Sequence, residues 1–175
     1  MSSIDIIILR HLRRQPAHGY ELRKRVEETT GVVLHNNSLY PALKRFEESG
    51  AVVRRPEEQE GRPPRNVYSI TPVGLELLHD LLAALPPEMA GDELEFLTRL
   101  GQFSLLEPYE RLAILDARDQ ALEARNHHLT ALLDRAKYDL WNREVTAELI
   151  RRCSAEREWL AGLRDAASTA PLSKD

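Results

Sequence analysis

A chain of 175 residues, 42% hydrophobic and 30% charged, builds one domain or two small ones around a modest core. No apolar run reaches the ~18 residues of a membrane span, and the lone Cys153 excludes an internal disulfide. The net charge of −4 is uneven, with 12 Lys and Arg against 11 Asp and Glu in residues 1–80 and 12 against 17 in residues 81–175, so charge alone does not argue for nucleic acid.

The first apolar stretch, Ile4 to Leu12, is rich in β-branched residues, and strand and helix readings compete over it. A break at Gln15-Pro16-Ala17-His18-Gly19-Tyr20 follows. Tyr20 to Val26 then reads as a short amphipathic helix, with Leu22 and Val26 four apart on one face, ending at Thr29-Thr30-Gly31. Asn36-Asn37-Ser38 offers three residues that each suit a helix N-cap. The helix after them carries Leu39, Leu43 and Phe46 on one stripe. Pro41 belongs in a first turn, which puts the helix start near Ser38 and its stop at Ser49-Gly50. Two short helices joined by a short loop have helix-turn-helix dimensions.

The period then changes. Ala51 to Arg55 and Asn66 to Ile70 are β-type segments, joined by a polar connector holding Gly61, Arg62, Pro63-Pro64 and Arg65. They form a two-stranded hairpin with a long tip, a wing. Thr71-Pro72 supplies an N-cap and an N1 proline for a helix carrying Leu75, Leu78 and Leu82. Pro86-Pro87 closes the region, and residues 86–91 read as a hinge.

The remainder is helical: a short helix from Asp92 to Phe103, a long one introduced by Glu107-Pro108, and a last one from about Trp141. Leu115, Leu122, Leu129 and Ala136 recur every seven residues, which suits antiparallel helix packing or a dimer seam. Residues 168–175 are expected to form a disordered tail. The expected fold class is mainly α with a small β-hairpin: a winged helix-turn-helix over 1–85, then an antiparallel helical dimerisation domain over 92–167.

Catalytic chemistry finds no support. No phosphate-binding glycine loop, paired-carboxylate site or nucleophile motif stands out, so the expectation is no enzyme, no cofactor and no metal. His127 and His128 are adjacent and point about 100° apart on a helix, unlike the i, i+4 pair that metals favour. Cys153 falls on an apolar helical stripe and reads as core. Trp141 and Trp159 share a helix face but stand ~27 Å apart along it, too far to line one pocket.

Three blocks carry a family likeness. They are Pro16-Ala17-His18-Gly19-Tyr20-Glu21-Leu22, the run from Ser38-Leu39-Tyr40-Pro41-Ala42-Leu43-Lys44-Arg45 to Gly50, and Gly61-Arg62-Pro63-Pro64-Arg65 with Tyr68 to Gly74. In this order and spacing they resemble the PadR family of bacterial regulators. Glu95 to Leu100 and Glu156 to Leu160 look like the helical C-terminal domain of its larger members. Two departures stand out: His35-Asn36-Asn37 replaces a small Ser-Pro-Gly type lead-in, and Phe46 replaces a leucine.

The lone Cys153 suits a reducing cytoplasm, and the resemblance implies a ligand-responsive repressor that binds double-stranded DNA as a homodimer on a near-palindromic operator, with a small-molecule effector. The alternative is a winged-helix protein-interaction module without specific DNA binding. In a winged helix the second helix of the motif enters the major groove while the wing follows the backbone. That assigns DNA contact to Asn36, Asn37 and Ser38 at the helix start, to Tyr40, Lys44 and Arg45 on its outer side, and to Arg62 and Arg65 in the wing. Tyr20 reads either as a phosphate contact or as half-buried packing beside a helix start. The dimer seam is assigned to Leu115, Leu122, Leu129, Val145, Leu149, Trp159 and Leu163.

Overall fold

The computed structural model describes residues 3–59, 62–135 and 139–169, with the side chains of residues 59, 62–64 and 135 left aside. Gly61, Ala136, residues 170–175 and the side chains of Arg62, Pro63 and Pro64 therefore lie outside the described residues. The chain divides into two compact units, Met1–Leu82 and Ala83–Asp175. The fold class is that expected: mainly α, with a winged helix-turn-helix followed by an antiparallel helical pair.

Helix α1 (Ser3–Arg14) resolves the ambiguous first stretch. Ile6, Ile7, Ile8, Leu9 and Leu12 are all buried, so α1 is the central helix of its unit. Burial on nearly every side outweighs the small helix penalty of branched side chains. Strand β1 (Ala17–His18) and helix α2 (Gly19–Thr30) follow. His11 joins α1 to α2: its Nδ1 donates to the Ile7 carbonyl at 2.7 Å and its Nε2 meets Thr29 Oγ1 at 2.8 Å.

Helix α3 (Asn36–Glu48) begins earlier than expected. His35 takes the N-cap position with extended backbone and no side-chain cap bond, and its carbonyl accepts from the Ser38 and Leu39 amides. Asn36, Asn37 and Ser38 are thus the first turn rather than caps, and Pro41 lies in the second turn instead of the first. A proline there cannot donate to the Asn37 carbonyl. Burial of Leu39, Ala42, Leu43 and Phe46 supplies what the backbone loses.

Strands β2 (Val52–Gln59) and β3 (Arg62–Ile70) form the wing. They pair antiparallel from Val52↔Ile70 to Gln59↔Arg62, with an irregularity between Glu57 and Gln59. The sheet has three strands rather than two, because β1 adds to the other side of β3 through Ala17↔Tyr68 and His18↔Val67. A two-residue strand has no periodicity for a sequence reading to detect. Helix α4 (Pro72–Ala83) is started by Thr71, whose Oγ1 accepts from the Gly74 amide and donates to the Gly50 carbonyl. Gly74 is required by contact: a Cβ there would lie 2.1 Å from the Ala51 carbonyl oxygen.

In the second unit, α5 (Pro87–Ala90) makes one helical turn where a hinge was expected. Helix α6 (Glu93–Leu100) is capped by Asp92, which accepts from the Glu95 amide. A 3-10 turn at Phe103–Leu105 leads to α7 (Pro108–Arg135) and α8 (Leu140–Ser168). These two run antiparallel, as ion pairs show: Arg118–Glu156 at 2.8 Å, Arg157–Asp119 at 2.7 Å and Arg164–Asp116 at 2.7 Å.

Leu115, Leu122 and Leu129 are buried here, against the stripe of α8 that contains Cys153 and Leu160. Of the two expectations for this heptad, antiparallel packing or a dimer seam, these three side chains serve the chain's own hairpin, where α8 already covers them. Leu149 and Leu163 are half-buried, while Val145 and Trp159 are exposed. Trp159 meets Phe96 edge-on at 6.2 Å. Three buried arginines hold carbonyls at element ends, Arg99 that of Ala84, Arg111 those of Leu106 and Thr169, and Arg118 that of Ala90. Helix α8 continues through Ser168, where the tail was expected to begin. No described helix is long and apolar enough to cross a membrane.

Candidate nucleic-acid interface

Helix α3 is two-faced by construction. Its apolar residues recur at spacings of three and four and face the core, which leaves Asn36, Asn37, Tyr40, Pro41 and Lys44 outside. Tyr40 is 46% exposed, and Lys44 carries an i, i+4 contact to Glu48 at 3.7 Å. Ser38 is half-buried. Arg45 behaves differently from its neighbours. Its Nη2 lies 2.7 Å from Asp5 Oδ1, and Asp5 is buried in the first turn of α1. Part of that guanidinium therefore satisfies a core carboxylate.

A cleft of about 580 Å³ separates the start of α2 from the wing. His18, Gly19, Tyr20 and Lys24 line one side, Arg65, Asn66 and Tyr68 another, and Tyr40 enters from α3. Tyr20 is 68% exposed, which corrects the half-buried reading. Arg23 stacks over its ring at 5.5 Å and also donates to Asn36 Oδ1 at 3.4 Å, so the two exposed ends of α2 and α3 are linked. A Cβ on Gly19 would come within 2.9 Å of the Tyr40 hydroxyl oxygen, so the missing side chain is what lets the Tyr40 phenol lie against α2.

Across the wing, Arg65 Nε donates to Glu57 Oε2 at 2.8 Å. His18 donates through Nδ1 to the Asn66 carbonyl and sets Nε2 3.4 Å from the same Glu57 oxygen. Arg54 meets Glu47 at 3.1 Å, tying β2 to the end of α3. Burial raises the Tyr68 hydroxyl pKa above its ordinary value, with the nearby Arg54 opposing the shift. Tyr68 therefore remains a neutral hydrogen-bonding group.

The structure thus brings Tyr20, Tyr40 and Arg65 to one cleft and links Asn36 to Tyr20 through Arg23. It diverts Arg45 in part to Asp5. Arg23, Lys24 and Asn66 were missed at the sequence level. The first two lie three and four residues after Tyr20, a helical spacing that could have flagged them. Asn66 had no such signal, since its place depends on the strand register.

Residues 8–80 match the family model described as the transcriptional regulator PadR-like family. The chain belongs to this family. Among solved structures, this PadR-like chain is 32% identical to a PadR family transcriptional regulator from Eggerthella lenta, over 46% of this chain and 70% of that one, with a TM-score of 0.43. It is 22% identical to Bacillus subtilis PadR in complex with operator DNA, over 94% of this chain and 98% of that one, with a TM-score of 0.44. An uncharacterised protein of a Streptomyces fradiae transposon is 31% identical over 122 residues, 66% of this chain. The chain spans about a third of the length of that curated relative, 34% of it.

Proposed function

We propose that this PadR-like chain is a sequence-specific DNA-binding regulator that acts as a homodimer on a near-palindromic operator, a repressor whose hold on DNA responds to a small-molecule effector. One observation carries the DNA reading: Tyr40, on the exposed side of α3 that also bears Asn36, Asn37 and Lys44, enters a cleft walled by Tyr20, Arg65 and Asn66. A 13-residue helix is about 20 Å long and fits the major groove. Side-chain amides in its first turn suit base edges, and the wing arginines Arg62 and Arg65 suit phosphates.

The homodimer reading rests on α8. Trp141 and Val145 are 76% and 61% exposed, and with the half-buried Leu149 they recur every four residues. Such a stripe of large apolar groups suits a second copy of the same helix. A winged unit close to neutral also needs two copies to gather enough contacts, with half-sites ~34 Å apart. For the effector we assign the cleft of about 510 Å³ in the helical unit, where Leu122, Leu149 and Cys153 lie among three arginines and the acids Asp92, Glu93 and Glu156, the last of them paired with Arg118. Occupancy there acts by shifting the population of dimers whose two reading helices are in register with the operator.

The pairing of Lys44, Arg54 and Arg65 with acids is the one observation that favours a protein-interaction module instead. Footprinting and anisotropy titrations at physiological salt, on duplexes from the protein's own upstream region, separate the two. Affinity no better than for random duplex overturns the regulator reading.

A further inference from the structure

The ion pairs of the winged unit divide its cations into two groups. Among the described residues, Lys24, Arg25, Lys44, Arg45, Arg54 and Arg65 each meet a carboxylate. No carboxylate among the described residues meets Arg23, Arg55 or, at the end of α1, the three neighbours Arg10, Arg13 and Arg14. These three stand at i, i+3 and i+4, so they share one side of the helix. Arg13 and Arg14 are exposed, and the Nε of Arg10 is buried without a hydrogen-bond partner. Burial and the charge of Arg14 together hold the Arg10 guanidinium below its usual pKa. The cluster is therefore self-repelling and lacks a counter-charge.

Some repulsion is offset because cations near a helix C-terminus interact well with its dipole. That accounts for one cation in the last turn better than for three side by side. Location adds a second argument. Arg14 is four residues before His18, which lines the cleft between α2 and the wing. Four residues of extended chain reach at most about 14 Å. The arginine cluster is thus within a few phosphates of a duplex seated on that cleft.

We infer that Arg10, Arg13 and Arg14 form a second phosphate-binding patch that grips the DNA backbone beyond the base pairs read by α3 and the wing. This inference rests on the DNA-binding reading above. The patch contributes affinity and salt dependence and carries no sequence preference, since phosphates are the same at every step.

The test uses the full chain, a 40-base-pair duplex carrying the site protected in footprinting, and the same site trimmed to the base pairs whose substitution weakens binding. Binding is followed by anisotropy across a salt series. Each phosphate contact adds ~0.9 to the slope of log affinity against log salt. On the long duplex, Arg13→Gln/Arg14→Gln is expected to reduce that slope by nearly two units, while Arg13→Lys/Arg14→Lys keeps it. On the trimmed duplex, wild type and the Gln variant should converge.

An unchanged slope for the Gln variant on the long duplex overturns the inference. A lowered melting temperature with an unchanged slope does the same, and assigns the arginines to the helix end. A changed oligomeric state with an unchanged slope also overturns it and points to a contact with the acidic half of a second copy. Failure of wild type to protect any site is a separate result and overturns the regulator reading itself.

Discussion

The Arg45 guanidinium lies 2.7 Å from the buried Asp5 carboxylate, so the outer edge of α3 is tied to the first turn of α1. Removing the cation takes one partner from a carboxylate that water reaches poorly. Arg45→Met should cost about 1–2 kcal/mol of stability, discounted because the arginine is half exposed. In the double variant Asp5→Asn/Arg45→Met the loss should be smaller than the sum of the two single losses. Urea melts of the four proteins check this. Additive losses would show that the pair is not coupled.

Gly19 and Tyr40 make a second dependence. Gly19→Ala places a methyl within 2.9 Å of the Tyr40 hydroxyl oxygen, and the flexible phenol must swing away. Stability should change by less than about 1 kcal/mol, since the clash is with the far end of a side chain. Operator affinity should fall roughly fivefold, the equivalent of ~1 kcal/mol. Equal affinity for both proteins would remove the Tyr40 position from the DNA contacts.

His11 predicts a pH effect. Burial holds its pKa below the ordinary histidine value, the Ile7 carbonyl opposes the shift, and the charges of Arg10, Arg14 and Arg25 reinforce it. The folded state thus binds this proton less readily than the unfolded chain. The corresponding stability is fully present above the unfolded value of about 6.5 and is lost as pH falls below it through the lower folded value. Melting temperatures between pH 8 and pH 5 should decline for wild type. His11→Gln should start lower and decline less. Parallel curves would clear His11 of the effect.

The exposed stripe on α8 makes a prediction about assembly. Trp141→Ser/Val145→Ser should leave the helical content unchanged and turn a dimer into a monomer by sedimentation. Operator affinity should fall by at least an order of magnitude, because one half-site then binds alone. A variant that remains dimeric would move the seam elsewhere.

The helix-turn-helix and the wing were legible in the sequence because their signals are local. Leu39, Leu43 and Phe46 mark a buried stripe by spacing, and Gly-Pro chemistry marks the wing. The partners of charged groups were not legible. Arg45 and Asp5 are forty positions apart, and nothing near either residue announces the other. The same holds for β1, whose two residues become a strand only because β3 arrives beside them. Leu115, Leu122 and Leu129 show a different limit: a heptad states that a stripe is covered and is silent on whether the cover comes from the same chain. His35 took the cap because its extended backbone let its carbonyl accept the first amides, a conformational choice that the polar run after it obscured.

The proline in the second turn of α3 has a dynamic consequence. Pro41 offers no amide to Asn37, so the turn carrying Asn36, Asn37 and Ser38 is joined to the body of the helix by one backbone bond fewer than a turn without proline. That turn opens at lower cost than the rest of α3, and its amides should exchange with solvent long before those beyond Leu43. The residues proposed to meet the bases therefore ride on a part of the helix that adjusts by itself, while the Leu39–Phe46 stripe keeps the remainder in place. Two half-sites that differ slightly in groove shape can then be met by one sequence without disturbing the core.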